Sequence, residues 1–348
     1  MESTTASDNL TGLFLALVQS GMYGRAVPAQ TLSRLQTLEE EDWKTLQTMA
    51  GRQTVSGLLY SAVSHLPEDI PVPAHVDYAL MARADVLEST HHKMKRAVEA
   101  LTKAFAAGGL TPVYLKGLES SRFYPEPPLR ELGDIDVWFP PEHFDSARAF
   151  IQDHVREKVH PGADGGFHIT FHGYDVDVHR QYYDLPRLEG GLPEIPSPEA
   201  ELLMLNAHIL KHACSAGVGL RQLCDMALAY ARLPYDAQRY RKACEQCGIL
   251  RWTRMLSSFL NQYLGADAPL FGLPAENPEP LMRIIRRGGN FGHFEPSRER
   301  ALSRKPFLRK LDTLGRLLRS VPFALRYAPG ETSFLLRTLL KGNIRTIT

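Results

Sequence analysis

The sequence predicts an α+β protein: a small mixed β-sheet core flanked by a helical N-terminal region and a helical C-terminal region. Three observations predict it. Apolar residues recur at helical spacing through the first hundred positions. Short alternating strand patterns then crowd into residues 110 to about 182. Helical spacing returns after a loop rich in Pro and Gly, Leu185 to Pro198. At 348 residues the chain can bury a full core and form two or three structural units. The boundaries read from these shifts give a helical region over 1–109 and a mixed core over 110–185. A second helical region covers 186–265, and a basic, mostly helical segment covers 266–348.

Leu10, Leu13, Phe14, Leu17 and Val18 share one helical face, and Leu38 to Leu66 supplies one or two further helices. A long helix from about Val76 to Ala107 follows, stopped by Gly108-Gly109. Its His91-His92-Lys93 cluster reads as a solvated polar face.

In the core, Val113 to Leu115 forms a short strand, Lys116-Gly117 a turn, and the residues through Arg122 to Tyr124 a brief helix. After a Pro-rich loop comes a second strand, Asp134 to Phe139. Side chains alternate along a strand, so Asp134 and Asp136 point one way while Ile135 and Val137 enter the core. Two carboxylates held this close repel, and the proton affinity of at least one rises. A hard divalent cation relieves that repulsion. Pro140-Pro141 opens a helix to about Glu157. Phe167 to His172 and Tyr174 to His179 form a hairpin through Gly173. That hairpin carries Asp175 and Asp177 on one face, with His179 on the same side as Asp177. His168, Thr170 and His172 also share a face, which either lines the active-site cleft or, the preferred reading, is solvated. Three acids on adjacent strands make a two-metal site for phosphoryl or nucleotidyl transfer.

Lys116-Gly117, Arg130 ahead of Gly133-Asp134-Ile135-Asp136, and Asp177-Val178-His179 occur in this order. In them the chain resembles the uncharacterised nucleotidyltransferase family, a bacterial branch of the DNA polymerase β-like nucleotidyltransferase superfamily. Lys-Gly replaces the superfamily's Gly-Ser or Gly-Gly pair, and the gap to Asp134 is longer than usual; both departures are typical of the branch. The resemblance implies that Asp134, Asp136 and Asp177 hold Mg²⁺ or Mn²⁺ and catalyse transfer of an NMP from an NTP, ATP among them. Lys116 and Gly117 then fit a phosphate cradle, the glycine allowing close approach. Arg130 pairs a phosphate oxygen or, alternatively, Glu131 or Asp136. The family's Asp-hydrophobic-His order selects Asp177 over Asp175 and makes His179 a substrate contact.

Ser197-Pro198 starts the second helical region, with Ser as N-cap and Pro at the first position. His208 and His212 lie four apart on one helical face. Without Glu at the second position of this His-x-x-x-His, a metalloprotease reading fails. The resemblance extends loosely over this helix and the next, making His212 and Asp225 candidates to complete the site. The four cysteines, Cys214, Cys224, Cys244 and Cys247, are too few for a disulfide framework. The Cys244–Cys247 spacing is half of a zinc site, but on a helix it is simply one face. Beyond Pro234 helix continues to about Leu264, and prolines 269, 274, 278 and 280 break it.

Formal charges nearly cancel, 40 basic against 39 acidic, so there is no overall nucleic-acid signature. Residues 281 to 348, however, hold about 15 Lys and Arg against about 4 Asp and Glu, interleaved with Leu and Phe. This segment is a solvated helix face or a weak contact for an anionic surface. With no membrane-length apolar run and no basic secretory start, the expected location is the cytoplasm. The residues leave open the acceptor (small molecule, sugar, peptide or protein) and two rival readings, a non-catalytic nucleotide- or partner-binding protein and a γ-phosphotransferase.

Overall fold

The computed structural model describes the backbone of residues 2–154, 159–162, 165–185, 192–215, 217–289 and 321–329, and the side chains of these except 2–8 and 154. It is an α+β protein in which, among the described residues, helices predominate and the strands form one five-stranded mixed sheet. The chain divides into two compact units, Met81–Tyr182 and the combination of Met1–Leu80 with Tyr183–Thr348.

The Met81–Tyr182 unit holds the sheet. Its strands are β1 (Val113–Leu115), β2 (Ile135–Trp138), β3 (His160–Pro161), β4 (Phe167–Phe171) and β5 (Tyr174–His179), in the spatial order β1-β2-β5-β4-β3. Only the central β2–β5 pair is parallel; every other neighbour is antiparallel. Ile135, Val137, Phe167, Ile169, Val176 and Val178 face one core, packed with Leu101, Phe105, Phe139, Phe144 and Ile151. The helices of that core are the second part of a long helix over Ala74–Ala107 and a helix over Pro141–His154. The long helix stops where expected, at Gly108-Gly109, with Gly109 at φ 71°. The β4–β5 hairpin turns on His172 and Gly173, both at positive φ (51° and 81°), as a tight two-residue loop matching the strand twist requires.

The other unit is helical. Its N-terminal part contributes α1 (Glu2–Tyr23), α2 (Ala29–Leu35), α3 (Glu40–Gln53) and α4 (Ser56–Val63). Counting the long helix (α5), a short Gly117–Ser121 helix (α6) and Pro141–His154 (α7), the later helices are α8 (Pro198–Ala213), α9 (Leu220–Arg232), α10 (Ala237–Gln246), α11 (Leu250–Leu264) and α12 (Glu279–Gly288). Ser197 caps α8 as expected, accepting from the Ala200 amide. Within this unit Gln53 donates to the Ile285 carbonyl and accepts from the Leu220 amide. Asn206 is fully buried: it donates to Tyr240 and Thr253, and its Oδ1 accepts from Trp252. The Tyr240 hydroxyl in turn lies 3.0 Å from that of Tyr230.

The structure departs from the sequence reading in several places. His91 is buried rather than solvated, 8% exposed, because it falls on the inward stripe with Leu87 and Met94; burial first, then His92 and Lys95, holds its imidazole below the ordinary value. Helix α12 was not anticipated: Pro278 and Pro280, read as breakers, are its N-cap and its opening turn, where a missing N–H costs nothing. Helix also does not run unbroken to Leu264, since Gly248 at φ 69° separates α10 from α11. Helix is found at 321–327, while most of the basic segment's charges, Arg304, Arg309 and Lys310 among them, lie outside the described residues. Among the described residues no helix is long and apolar enough to cross a membrane.

Candidate active site

The site begins with register. Across the parallel β2–β5 pair Asp136 stands opposite Asp177, and Ile135 opposite Val176. Alternation therefore sends the isoleucine and valine into the core and both aspartates to the other face. Asp134 immediately precedes β2 and joins them: one carboxylate oxygen from each of Asp134, Asp136 and Asp177 lies within 4.8 Å of the others. Asp134 is exposed, Asp136 buried and Asp177 half-buried. Asp175 is exposed and pairs in register with Thr170.

Basic groups converge on the same face. Lys116 Nζ reaches Asp136 Oδ1 at 2.9 Å, and His179 Nε2 meets that same oxygen at 2.6 Å. His168 Nδ1 pairs with Asp177 Oδ1. Lys116 caps α6 with φ 48°, a left-handed backbone that favours glycine, and Gly117 follows at φ 46°. A Cβ on Gly117 would stand 3.3 Å from the Asp134 carbonyl oxygen, so the turn and the carboxylate segment approach closely there.

The Asp134 carboxyl is held above the ordinary carboxylate range, first by desolvation and then by the Asp136 and Asp177 charges, with Lys116 opposing. Asp134 keeps an open face to solvent, and the Asp136 and Asp177 charges repel its ionised form. A bound cation relieves that repulsion. Three hard oxygen donors in mutual repulsion fit a Mg²⁺ or Mn²⁺ ion in chemistry and in number.

Lys116, Gly117, Asp134, Asp136, Asp177 and His179 are thus brought together. Arg130 is buried at the end of a 3-10 turn (Pro127–Leu129), and its Nη1 donates to the Glu131 carbonyl at 3.1 Å, while Arg83 pairs with the Glu131 carboxylate. His212 and Asp225 belong to α8 and α9 of the helical unit. His212 stacks edge-on against His208 at 4.4 Å; Asp184 accepts from Lys211 at 2.7 Å and lies 3.1 Å from His208 Nδ1. Asp225 is buried, 3% exposed. The four cysteines are buried and none is in a disulfide, and burial raises the Cys244 thiol to about 12, keeping it neutral. The sequence reading offered His168 for the cleft but preferred a solvated face for it. Counting outward from the two-residue His172-Gly173 turn sets His168 opposite Asp177, so the signal was present in the loop length.

The family model described as uncharacterised nucleotidyltransferase matches residues 39–265, about two thirds of the chain. The chain belongs to the uncharacterised nucleotidyltransferases. The matched span of this nucleotidyltransferase contains the whole sheet, every residue of the carboxylate face, and also His212 and Asp225. No curated protein and no solved structure matches the chain.

Proposed function

We propose that this nucleotidyltransferase moves a nucleoside monophosphate from an NTP to an acceptor and releases pyrophosphate. The observation that carries the reading is the convergence of Asp134, Asp136 and Asp177 from two adjacent parallel strands. Bound to those three carboxylates, a divalent cation, Mg²⁺ or Mn²⁺, would neutralise the triphosphate and the charge that builds in the transition state. The chain's own residues position the reactants. Lys116 and the Gly117 backbone receive phosphate oxygens at the α6 turn. An acceptor oxygen forms its bond to the α-phosphorus as the bond to the bridging oxygen breaks, and pyrophosphate leaves with that electron pair. Asp177, oriented by His168, takes the acceptor's proton. His179 holds Asp136 from the neighbouring strand and lies beside the phosphates. Arg130 is given the lesser part, because reaching a phosphate would require it to leave the Glu131 carbonyl.

The test is a screen with all four labelled NTPs, Mg²⁺ or Mn²⁺, and cell extract, read by mass spectrometry. A product heavier by a nucleoside monophosphate supports the reading. A product heavier by phosphate alone would make the protein a γ-phosphotransferase, and nucleotide binding without any product would make it a binding protein.

A further inference from the structure

Lys116 lies where a nucleotidyltransferase's cation is needed. Its ammonium sits 2.9 Å from Asp136 Oδ1, with its side chain only 11% exposed and that of Asp136 6%. An exposed lysine would trade such a contact for water at little loss, but this pair is largely withdrawn from solvent. The backbone is also set for it. Position 116 takes φ 48°, where glycine would be at ease, and yet holds a long charged side chain. A strained position kept at a site is a reason to ask what its side chain does. Here it aims a positive charge at one of the three carboxylates. An ammonium and a divalent ion repel each other, so both cannot make full use of Asp136 at once. A four-carbon stem gives the ammonium somewhere else to go when an anion arrives.

We propose that Lys116 is a resident counter-cation that competes with the divalent ion for Asp136 and transfers to the triphosphate when the nucleotide binds. This rests on the reading of Asp134, Asp136 and Asp177 as a cation site. The protein is then held in a low-affinity form for metal alone, and metal and nucleotide strengthen each other's binding through one side chain. Such coupling is reciprocal by thermodynamic necessity. His179 meets the same oxygen, so Asp136 has a second partner besides Lys116.

The test measures metal binding rather than turnover. Mn²⁺ is titrated into nucleotide-free protein and followed by water-proton relaxation, for wild type, Lys116→Met, Lys116→Gln and Lys116→Arg, with thermal melts of each. Removing the charge should tighten Mn²⁺ binding about tenfold, within the usual range of couplings between ligands. Lys116→Arg, which keeps the charge, should bind no tighter than wild type. If the Met variant melts early, the Gln variant carries the comparison. Met and Gln variants that bind Mn²⁺ no tighter than wild type overturn the competition and leave the cation site standing. Absence of Mn²⁺ binding in every protein overturns both.

Discussion

Asp136 and Asp177 face each other in register across the one parallel strand pair of the sheet, although 41 positions separate them in the chain. Neither strand alone makes a site. Asp136→Asn or Asp177→Ala is therefore expected to lower turnover by roughly two to three orders of magnitude, the usual loss when one electrostatic stabiliser of a transition state is removed. Asp175→Ala, one pleat further along β5 and solvent-exposed, should be milder. Steady-state rates of the three variants decide it; a dead Asp175 variant beside an active Asp177 variant would reverse the assignment.

Asp134→Asn should lose activity to a similar degree while the metal-free protein melts higher than wild type. The substitution removes one of three repelling charges, and Asp134 is the carboxyl whose proton affinity that repulsion raises. Calorimetry in the presence of a chelator checks this. A lower melting temperature for the variant would mean that Asp134 makes favourable contacts outweighing the repulsion.

Gly117→Ala is expected to destabilise the protein by about 1–2 kcal/mol, the cost of a Cβ in a left-handed conformation. Its Cβ would also press on the Asp134 carbonyl, so nucleotide and metal affinity should fall together. Denaturant melts and Mn²⁺ titration of the same variant separate the two effects.

Much of this was legible in the sequence, and the reasons are specific. Asp134, Asp136 and Asp177 were readable because a strand's period of two leaves no choice of face once Ile135, Val137, Val176 and Val178 are assigned to the core. Lys116-Gly117 was readable as a turn from its glycine. Contacts that depend on which strands become neighbours were not readable: spacing alone does not place β5 beside β2, nor His179 on Asp136. His91 was misread because polarity outweighed its place on the inward stripe of α5. Helix α12 was missed because proline is both a breaker and a good first-turn residue, and only the tertiary contacts of Leu281, Met282 and Ile285 decide which.

Stability should fall at alkaline pH. Burial raises the Tyr230 and Tyr240 hydroxyls well above their ordinary value and takes the Cys244 thiol to about 12. The folded protein thus keeps protons that the unfolded chain releases from about pH 9 upward. Raised groups of this kind have no effect below the unfolded values and cost progressively more as pH climbs from about 9 towards 12. Denaturant midpoints taken from pH 8 to 11 should drop, and tyrosinate absorbance should rise in step with unfolding. A midpoint unchanged over that range would show that these groups ionise freely in the native state.

The division of the chain has a consequence for how it is made. The carboxylate-bearing sheet is encoded by one uninterrupted stretch, Met81–Tyr182, whereas the helical unit draws on both sides of it. Gln19 bonds to the Tyr263 carbonyl, and Gln53 to Ile285 and Leu220, across 244, 232 and 167 positions. On the ribosome the first eighty residues emerge long before these partners exist, and the bonds of Gln19 and Gln53 must wait for them. The sheet follows them out and has all its own strands at once. Translation therefore delivers the sheet-bearing stretch complete before the N-terminal helices meet their late partners, and it is those waiting helices that a chaperone would have reason to hold.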